Sequence, residues 1–185
     1  MDVLRTRLDG LILIAPSLAS DDRGFFFETY HHARYRAAGI NSNFVQDNHS
    51  RSLRGVLRGL HYQVGAGQPK LVRAARGTAF DVVVDLRRHS PTFGAWESFV
   101  LDDERHLQLF IPPGFAHGFC TLSAELDFVY KVGSYYDPAL ESGIAWDDPA
   151  IGIQWPISDP IVSERDRHNP TLAAVAGSLP DWSDG

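Results

Sequence analysis

The sequence concentrates polar side chains in a few segments that otherwise have the composition of strands. These segments hold histidine, tyrosine, lysine, arginine and aspartate, which are the residue types of acid–base chemistry. No single residue among them defines a reaction, so their combination and spacing have to be considered together. The segments are Asp22–Glu28, Gln46–Val72, Ile111–Phe119, Tyr130–Tyr136 and Ser163–Asp166.

Four of these residues could together remove and return a proton beside a ketone. Such a reaction needs a base, an acid on the other face of the substrate, and a positive charge near the developing enolate oxygen. A histidine such as His61 can act as a base at neutral pH, and an aspartate such as Asp166 can orient its ring. A tyrosine could supply the proton from the other face, and Lys70 could stabilise the enolate.

The spacing of the polar residues predicts which side chains share a face of a strand. Residues two apart point the same way, so Gln46 and Asn48 share one face, as do His61 and Gln63. Arg58 faces the opposite side from His61 if the strand is regular. Both can reach one pocket only through a bulge, a twist or a position near the rim.

A second motif bears on whether the site holds a metal ion. Pro113–His117 resembles the second half-motif of the cupin superfamily, whose metal-binding members supply His-x-His and a glutamate from the first half-motif. The corresponding positions here are His61, Gln63 and Gln68, so amides replace one histidine and the carboxylate. Two imidazoles and neutral amides make a poor site for catalytic zinc or iron. We therefore expect chemistry without a metal.

The elements that must position these residues are short strands. Stretches rich in β-branched and aromatic residues recur at roughly ten-residue spacing, separated by Gly, Pro, Asp and Asn, which is typical of a sandwich or barrel. We expect an all-β fold, an antiparallel barrel or jelly roll whose mouth offers a ligand pocket. The predicted strands are Leu11–Ala15, Gly24–Thr29, Phe44–Asn48, Val56–Gln63, Lys70–Arg76, Thr78–Leu86, Ala95–Leu101, Leu107–Ile111, Ala116–Leu122 and Phe128–Val132.

Helices are few in this prediction. The clearest candidate is Thr29–Ala38, which Gly39 would end. After Asn169 we expect a helical turn packed on the barrel, followed by a fraying end. The tail from about residue 170 is therefore predicted to be peripheral to a single domain spanning residues 1–185.

Composition excludes several classes of protein. A net charge of −6 argues against nucleic acid as the main partner. The apolar runs are too short to span a bilayer and no signal peptide is visible, so we expect neither a membrane partner nor secretion. Cys120 is the only cysteine, which excludes an internal disulfide and favours the cytoplasm.

Taken together, the motifs resemble the dTDP-4-dehydrorhamnose 3,5-epimerase family. The resemblance extends from about Gly10 to Asn169, and its motifs occur in the family's order. They are Gln46–Ser50, Leu57–Gln63, Asp85–Arg87, Ser90–Gly94, Ile111–Phe119, Trp146–Pro149 and Trp155–Pro156.

The resemblance implies a cupin-type jelly-roll barrel with a few short helices, in a homodimer that exchanges an N-terminal strand. It implies an isomerase that needs no cofactor. The substrate would be dTDP-4-dehydro-6-deoxy-D-glucose and the product dTDP-4-dehydro-L-rhamnose. Both C3 and C5 flank the C4 ketone, so one base on one face could remove either proton.

The resemblance also assigns roles to residues. His61 matches the catalytic base, Asp166 its orienting carboxylate and Tyr130 the acid, while Lys70 lies near the sugar. Arginine at position 165 is a departure, because lysine is common there. The substrate-binding positions are Arg23, Phe26, Glu28, Gln46, Asn48, Arg58, His117, Tyr136, Glu141 and Arg165, and their shared task is to hold the sugar, the diphosphate and the thymine.

Three other functions remain open on the sequence. They are an epimerase that inverts only C3 or C5 of a related sugar, a metal-dependent cupin oxygenase or isomerase, and an inactive nucleotide-sugar binding module. Each site residue also has a structural interpretation, since His61 and His117 could be core histidines and Tyr130 a barrel tyrosine. Asp166 could cap a turn. The resemblance favours the catalytic interpretation.

Overall fold

The structure is a computed structural model that describes residues 1–182. Its strands form two six-stranded sheets and one hairpin, and nearly all of the pairing is antiparallel. Strands and helices are numbered in chain order. The first sheet contains, in spatial order, β1 (Asp2–Leu4), β2 (Ile12–Ala15), β10 (Gln108–Ile111), β7 (Lys70–Arg76), β12 (Glu125–Val132) and β5 (Gln46–Leu53).

The second sheet faces the first. One short strand, β14, pairs in parallel with β6, and the other pairs are antiparallel. The spatial order is β13 (Glu141–Gly143), β6 (Val56–Gln63), β11 (Phe115–Thr121), β8 (Thr78–Asp85) and β9 (Trp96–Asp102), with β14 (Ile161–Val162) beside β6.

The remaining elements are small. An N-terminal hairpin stands outside both sheets, and the helices are four to six residues long, with a further 3-10 turn. These elements are β3 (Ala19–Asp21), β4 (Gly24–Phe26), α1 (His32–Ala37), α2 (Glu164–Arg167), α3 (Leu172–Val175) and the 3-10 turn Ala176–Ser178.

The main core fills the space between the two sheets. Phe128 of β12 stacks on Phe119 of β11, with ring centroids 4.2 Å apart. Val72 from the first sheet and Val83 and Leu101 from the second complete the contact and are fully buried. Two antiparallel sheets closed around one apolar interior form the jelly-roll barrel that the sequence predicted, because alternate residues of each strand point inward.

Shorter segments cover the outer faces of the sheets. Tyr35 and Ile40, from α1 and the chain after it, pack on the first sheet. On the second sheet, Ile144, Leu172 and Leu179 cover the outward side chains of β6 and β8. The tail therefore packs on the barrel as predicted. The fraying expected at its end concerns residues 183–185, which lie outside the described residues.

The predicted helix is shorter than expected. It begins at His32 instead of Thr29, because His31 has extended dihedral angles (φ −143°, ψ 111°). It ends at Ala37, and Gly39 follows with φ +96°, a conformation that glycine adopts readily. None of the helices in residues 1–182 is long and apolar enough to cross a membrane.

Candidate active site

A cavity of about 210 Å³ lies inside the barrel, between β5, β7 and β12 of the first sheet and β6 and β11 of the second. It is rich in side chains that can donate, accept or carry a charge. Those lining it are Asn48, Ser50, Arg58, His61, Gln68, Lys70, His117, Tyr130, Tyr136 and Glu141.

His61 of β6 is held by a buried carboxylate. Its Nε2 lies 2.6 Å from Oδ1 of Asp166, whose other oxygen accepts from the Gly59 backbone N–H at 3.2 Å. Asp166 sits in α2, where Ser163 caps the helix by accepting from the Asp166 N–H. Burial alone would raise the pKa of Asp166, but the bonds from His61, Gly59 and Ser163 outweigh it and lower the pKa. This arrangement leaves Nδ1 as the ring nitrogen of His61 that is free to accept a proton.

Tyr130 approaches the same cavity from the opposite sheet. It lies on β12 between its register partners Asn48 on β5 and Val72 on β7. Burial and the nearby Glu141 raise the pKa of Tyr130, while Arg58 opposes the shift. The phenol therefore remains protonated at neutral pH and can act as a proton donor.

An irregularity in β6 brings Arg58 and His61 to one cavity. The register between β6 and β11 shifts between His117 and Phe119, opposite Gly59. Gly59 has φ +130°, and a Cβ there would lie 2.6 Å from the Cα of Gly118. Only glycine fits at this position. Of the three explanations left open by the sequence, the bulge is the one observed.

Lys70 begins β7 and supplies a positive charge to the cavity. Burial lowers the pKa of Lys70 to about 8, although Glu141 and Asp81 act in the opposite direction. Among the described residues, no hydrogen-bond acceptor or ion-pair partner occupies its ammonium group. The group is therefore available for a ligand oxygen.

A second histidine–aspartate pair lies beside the first. His117 of β11 is the register partner of His61, and its Nε2 lies 2.7 Å from Oδ2 of Asp81 on β8. The imidazole of His117 also stacks on Phe128, with ring centroids 6.1 Å apart. Asp81 is fully buried. Asp81 is not among the site residues predicted from sequence, although an aspartate inside the apolar run of β8 is a visible signal.

The comparisons with known proteins agree with this geometry. A family model described as dTDP-4-dehydrorhamnose 3,5-epimerase matches residues 5–174. This chain belongs to that family. An epimerase of this name from Methanothermobacter thermautotrophicus is 51% identical over 168 residues, covering 89% of this chain and 91% of the relative. The predictions of an isomerase and of this family are therefore confirmed.

Two further members of the epimerase family are informative. A crystal structure of the dTDP-6-deoxy-D-glucose-3,5-epimerase from Legionella pneumophila, in complex with dTDP-4-keto-L-rhamnose, has a TM-score of 0.95. It is 45% identical and covers 99% of both chains. A dTDP-4-dehydrorhamnose 3-epimerase from Streptomyces niveus is 42% identical over 180 residues, covering 95% of this chain and 87% of the relative.

At the mouth of this cavity, five predicted binding residues form one hydrogen-bonded group. Gln46 donates to the side-chain oxygen of Asn48 at 2.9 Å and accepts from the Tyr136 backbone N–H at 3.0 Å. The Tyr136 hydroxyl and the Arg165 guanidinium both donate to Glu141, at 2.8 Å and 2.5 Å. Burial alone would raise the pKa of Glu141, but these two bonds outweigh it and lower the pKa. Gln46 and Asn48 share a face, as the alternation predicted.

Three predicted binding residues neither line the cavity of their own chain nor hydrogen-bond to residues that line it. Arg23, Phe26 and Glu28 belong to the exposed N-terminal hairpin and the segment just after it. Arg23 pairs with Asp21, and Glu28 accepts from Arg34 at 2.9 Å. The ring of Phe26 is 76% exposed. Within a single chain these three residues are not placed to contact a substrate in the cavity. Their contact with substrate stays a prediction.

Gln63 and Gln68 are the amides at the positions of cupin metal ligands, and their surroundings differ. Gln68 donates to the Ser134 carbonyl oxygen at 3.0 Å, and Gln63 is buried in β6. Across residues 1–182, no group of three or more His, Cys, Asp or Glu side chains is arranged to hold a metal ion. The absence of a metal stays a prediction that requires measurement.

Proposed function

We propose that this chain inverts C3 and C5 of dTDP-4-dehydro-6-deoxy-D-glucose and releases dTDP-4-dehydro-L-rhamnose. The observation that carries the proposal is the placement of His61, held by Asp166, and Tyr130 on opposite sheets around one cavity. A sugar ring bound between the sheets would present one face to each group. Membership of the epimerase family supports the same reaction.

The first step removes a proton. Nδ1 of neutral His61 takes the proton from C3 or C5, and the electrons of the C–H bond move to the C4 oxygen to form an enolate. The carboxylate of Asp166 stabilises the imidazolium that results. The ammonium of Lys70 lies in the same cavity and stabilises the enolate oxygen.

The second step returns a proton to the opposite face. The hydroxyl of Tyr130 donates its proton to the carbon as the enolate collapses to the ketone, and the centre is inverted. Solvent then protonates the tyrosinate, and the imidazolium of His61 loses its proton to solvent. The same cycle at the other carbon inverts the second centre.

The direct test follows the solvent proton. The protein is incubated with dTDP-4-dehydro-6-deoxy-D-glucose in heavy water, and the product is analysed by NMR. We expect deuterium at both C3 and C5, with both centres inverted. A protein that incorporates no deuterium at either carbon would contradict the proposal.

A second candidate is an epimerase that inverts one centre only. The Streptomyces niveus relative, which is named a 3-epimerase, favours including it. Its site would need the same base and acid, with a ring position that exposes a single C–H bond. The heavy-water experiment separates the two, because label at one carbon alone supports the second candidate.

We also propose a homodimer in which the N-terminal hairpins are exchanged between copies. Arg23, Phe26 and Glu28 lie outside the cavity of their own chain, so a second copy would have to bring them to it. Phe25 and Phe26 are exposed on the hairpin and offer apolar surface for such a contact. Equilibrium sedimentation should give twice the mass of one chain. Removal of residues 19–28 should raise KM for the nucleotide sugar.

Two further expectations belong to this function. We propose that activity needs neither a metal nor a cofactor, so it should survive dialysis against a chelator. We propose a cytoplasmic location. The single cysteine, Cys120, is buried and free, which suits that compartment. Cell fractionation tests the location.

A further inference from the structure

Asp81 is a charged residue in an apolar setting. It lies in the middle of β8, its side chain is fully buried, and one carboxylate oxygen, Oδ1, has no hydrogen-bond partner among the described residues. Its register partners are Phe119 on β11 and Phe99 on β9. Burying a carboxylate with one oxygen unsatisfied is costly, so its presence requires a compensating interaction or a function.

Two cavity groups depend on this carboxylate. His117 is held through its Nε2 at 2.7 Å, which leaves Nδ1 as its free ring nitrogen. The charge of Asp81 raises the pKa of Lys70 and the charge of Lys70 lowers that of Asp81, although the two described side chains form no ion pair within 4.0 Å. The carboxylate therefore acts on Lys70 without occupying its donors.

We propose that Asp81 is a positioning residue of the reaction, which fixes the ring of His117 and supplies the negative charge that keeps Lys70 in its ammonium form. The inference rests on the proposed function, because the ammonium matters only if an enolate develops beside it. Direct pairing with a carboxylate would use the donors of Lys70. A countercharge that is not in direct contact leaves them free for the C4 oxygen.

Other charged and titratable groups also face Lys70, and they define what the test must separate. Glu141 on β13 is the other carboxylate that favours its charged form, and its effect is the larger of the two. Glu141 is paired with Arg165 and Tyr136, whereas Asp81 is paired with His117. The remaining groups of the cavity are Arg58 and His61 on β6, His117 on β11, and Tyr130 and Tyr136 from the first sheet and the loop after it.

The composition of the chain makes Lys70 directly observable. Lys70 and Lys131 are the only lysines, so NMR of protein labelled at the lysine ε-carbon gives two signals. Lys131, which pairs with Asp47 at 2.9 Å, serves as the internal reference. We expect the Asp81→Asn variant to lower the titration midpoint of Lys70 by about one pH unit and leave Lys131 unchanged. Asp81→Glu should restore most of the difference.

Activity provides the second measurement. Asparagine can still accept from Nε2 of His117, so Asp81→Asn removes mainly the charge. We expect its kcat to fall with pH at a lower midpoint than that of the wild type, so that its loss is about 10-fold greater at pH 9 than at pH 6.5. KM should change little. Asp127→Asn is the matched control, since Asp127 pairs with Arg51 and His49 outside the cavity and its loss should leave the profile unchanged.

The outcomes separate this inference from the proposed function. Deuterium incorporation by the wild type tests the function itself. An unchanged Lys70 midpoint in a folded Asp81→Asn variant overturns the inference while leaving the function intact. If that variant does not fold, the wild-type titration decides: a Lys70 midpoint below about 7 would show that the carboxylate does not keep the ammonium charged.

Discussion

The two histidine–aspartate pairs at the cavity have similar lengths but opposite electrostatic surroundings. His61 and His117 are register partners on adjacent strands, and their bonds to aspartate are 2.6 Å and 2.7 Å long. Asp166 also accepts from a backbone N–H, whereas Asp81 keeps one oxygen without a partner. The pKa of Asp166 is lowered, while burial raises that of Asp81 despite the opposing charges of His117 and Lys70.

This difference indicates why only one pair is suited to general-base catalysis. A base needs a carboxylate that is stable as an anion before and after the imidazolium forms, and Asp166 meets that requirement. Burial disfavours the ionised form of Asp81, although its contact with His117 and the charge of Lys70 oppose that effect. The pair with His117 is better suited to holding donors and charge near the substrate. A histidine–aspartate contact alone therefore does not identify a general base. The hydrogen-bond partners of the aspartate must also be known.

The largest expected effect on kcat comes from replacing the two cavity histidines, His61 and His117. His61→Asn should lower kcat by about 1,000-fold or more, because the proton acceptor is lost. His117→Asn should lower it by only about 10- to 100-fold, because a polar contact beside the substrate is lost while the base remains. Deuterium incorporation rates give both values. His49→Asn, on the outer face of β5, should match the wild type. Equal losses in the two cavity variants would contradict the assignment.

The next largest effect concerns Tyr130, which lies on the sheet opposite His61. Tyr130→Phe should reduce inverted product by about 100-fold or more, since no acid remains on the far face. His61 can still return a deuteron to the face from which it took the proton, so exchange at C3 should continue with retained configuration. NMR distinguishes exchange from inversion in one experiment. Tyr135→Phe, at a neighbouring tyrosine that is 72% exposed, is the control. Loss of exchange together with inversion would count against this division of roles.

Much of the site could be predicted because strand alternation is local. Gln46 and Asn48 share a face, and the bounds of β6 and β7 match the predicted Val56–Gln63 and Lys70–Arg76. The family resemblance was needed to connect His61 with Asp166, since 105 residues separate them and only the packed fold brings them together.

Other features depended on tertiary contacts that no local pattern encodes. β13 and β14 were missed because they are two or three residues long and exist only by pairing with β6. The shift in register that turns Arg58 toward the cavity arises from the close approach of Gly59 to Gly118. Asp81 looked like one polar residue in a core strand, and its role depends on Lys70, which lies on the other sheet.

The smallest expected effect concerns the contributions of the two carboxylates, Asp166 and Asp81, to the stability of the fold. The pKa of Asp166 is lowered in the folded chain, so its contribution is present above the unfolded-state pKa of about 3.9 and is lost as the pH falls through the folded value. The pKa of Asp81 is raised, so its ionised form costs stability at neutral pH, and acid relieves that cost.

The two asparagine variants should therefore differ at pH 7. Asp166→Asn should lower the free energy of unfolding by about 1.5–3 kcal/mol, since two donors lose a charged acceptor. Asp81→Asn keeps an acceptor for His117 and removes an unsatisfied charge, so it should change that free energy by less than about 1 kcal/mol. Urea titrations from pH 7 to about pH 4 measure the free energy of unfolding of both variants. The difference between the two variants should shrink as the pH falls. Equal losses at pH 7 would mean that the two carboxylates have equivalent surroundings, and the electrostatic distinction between the pairs would fail.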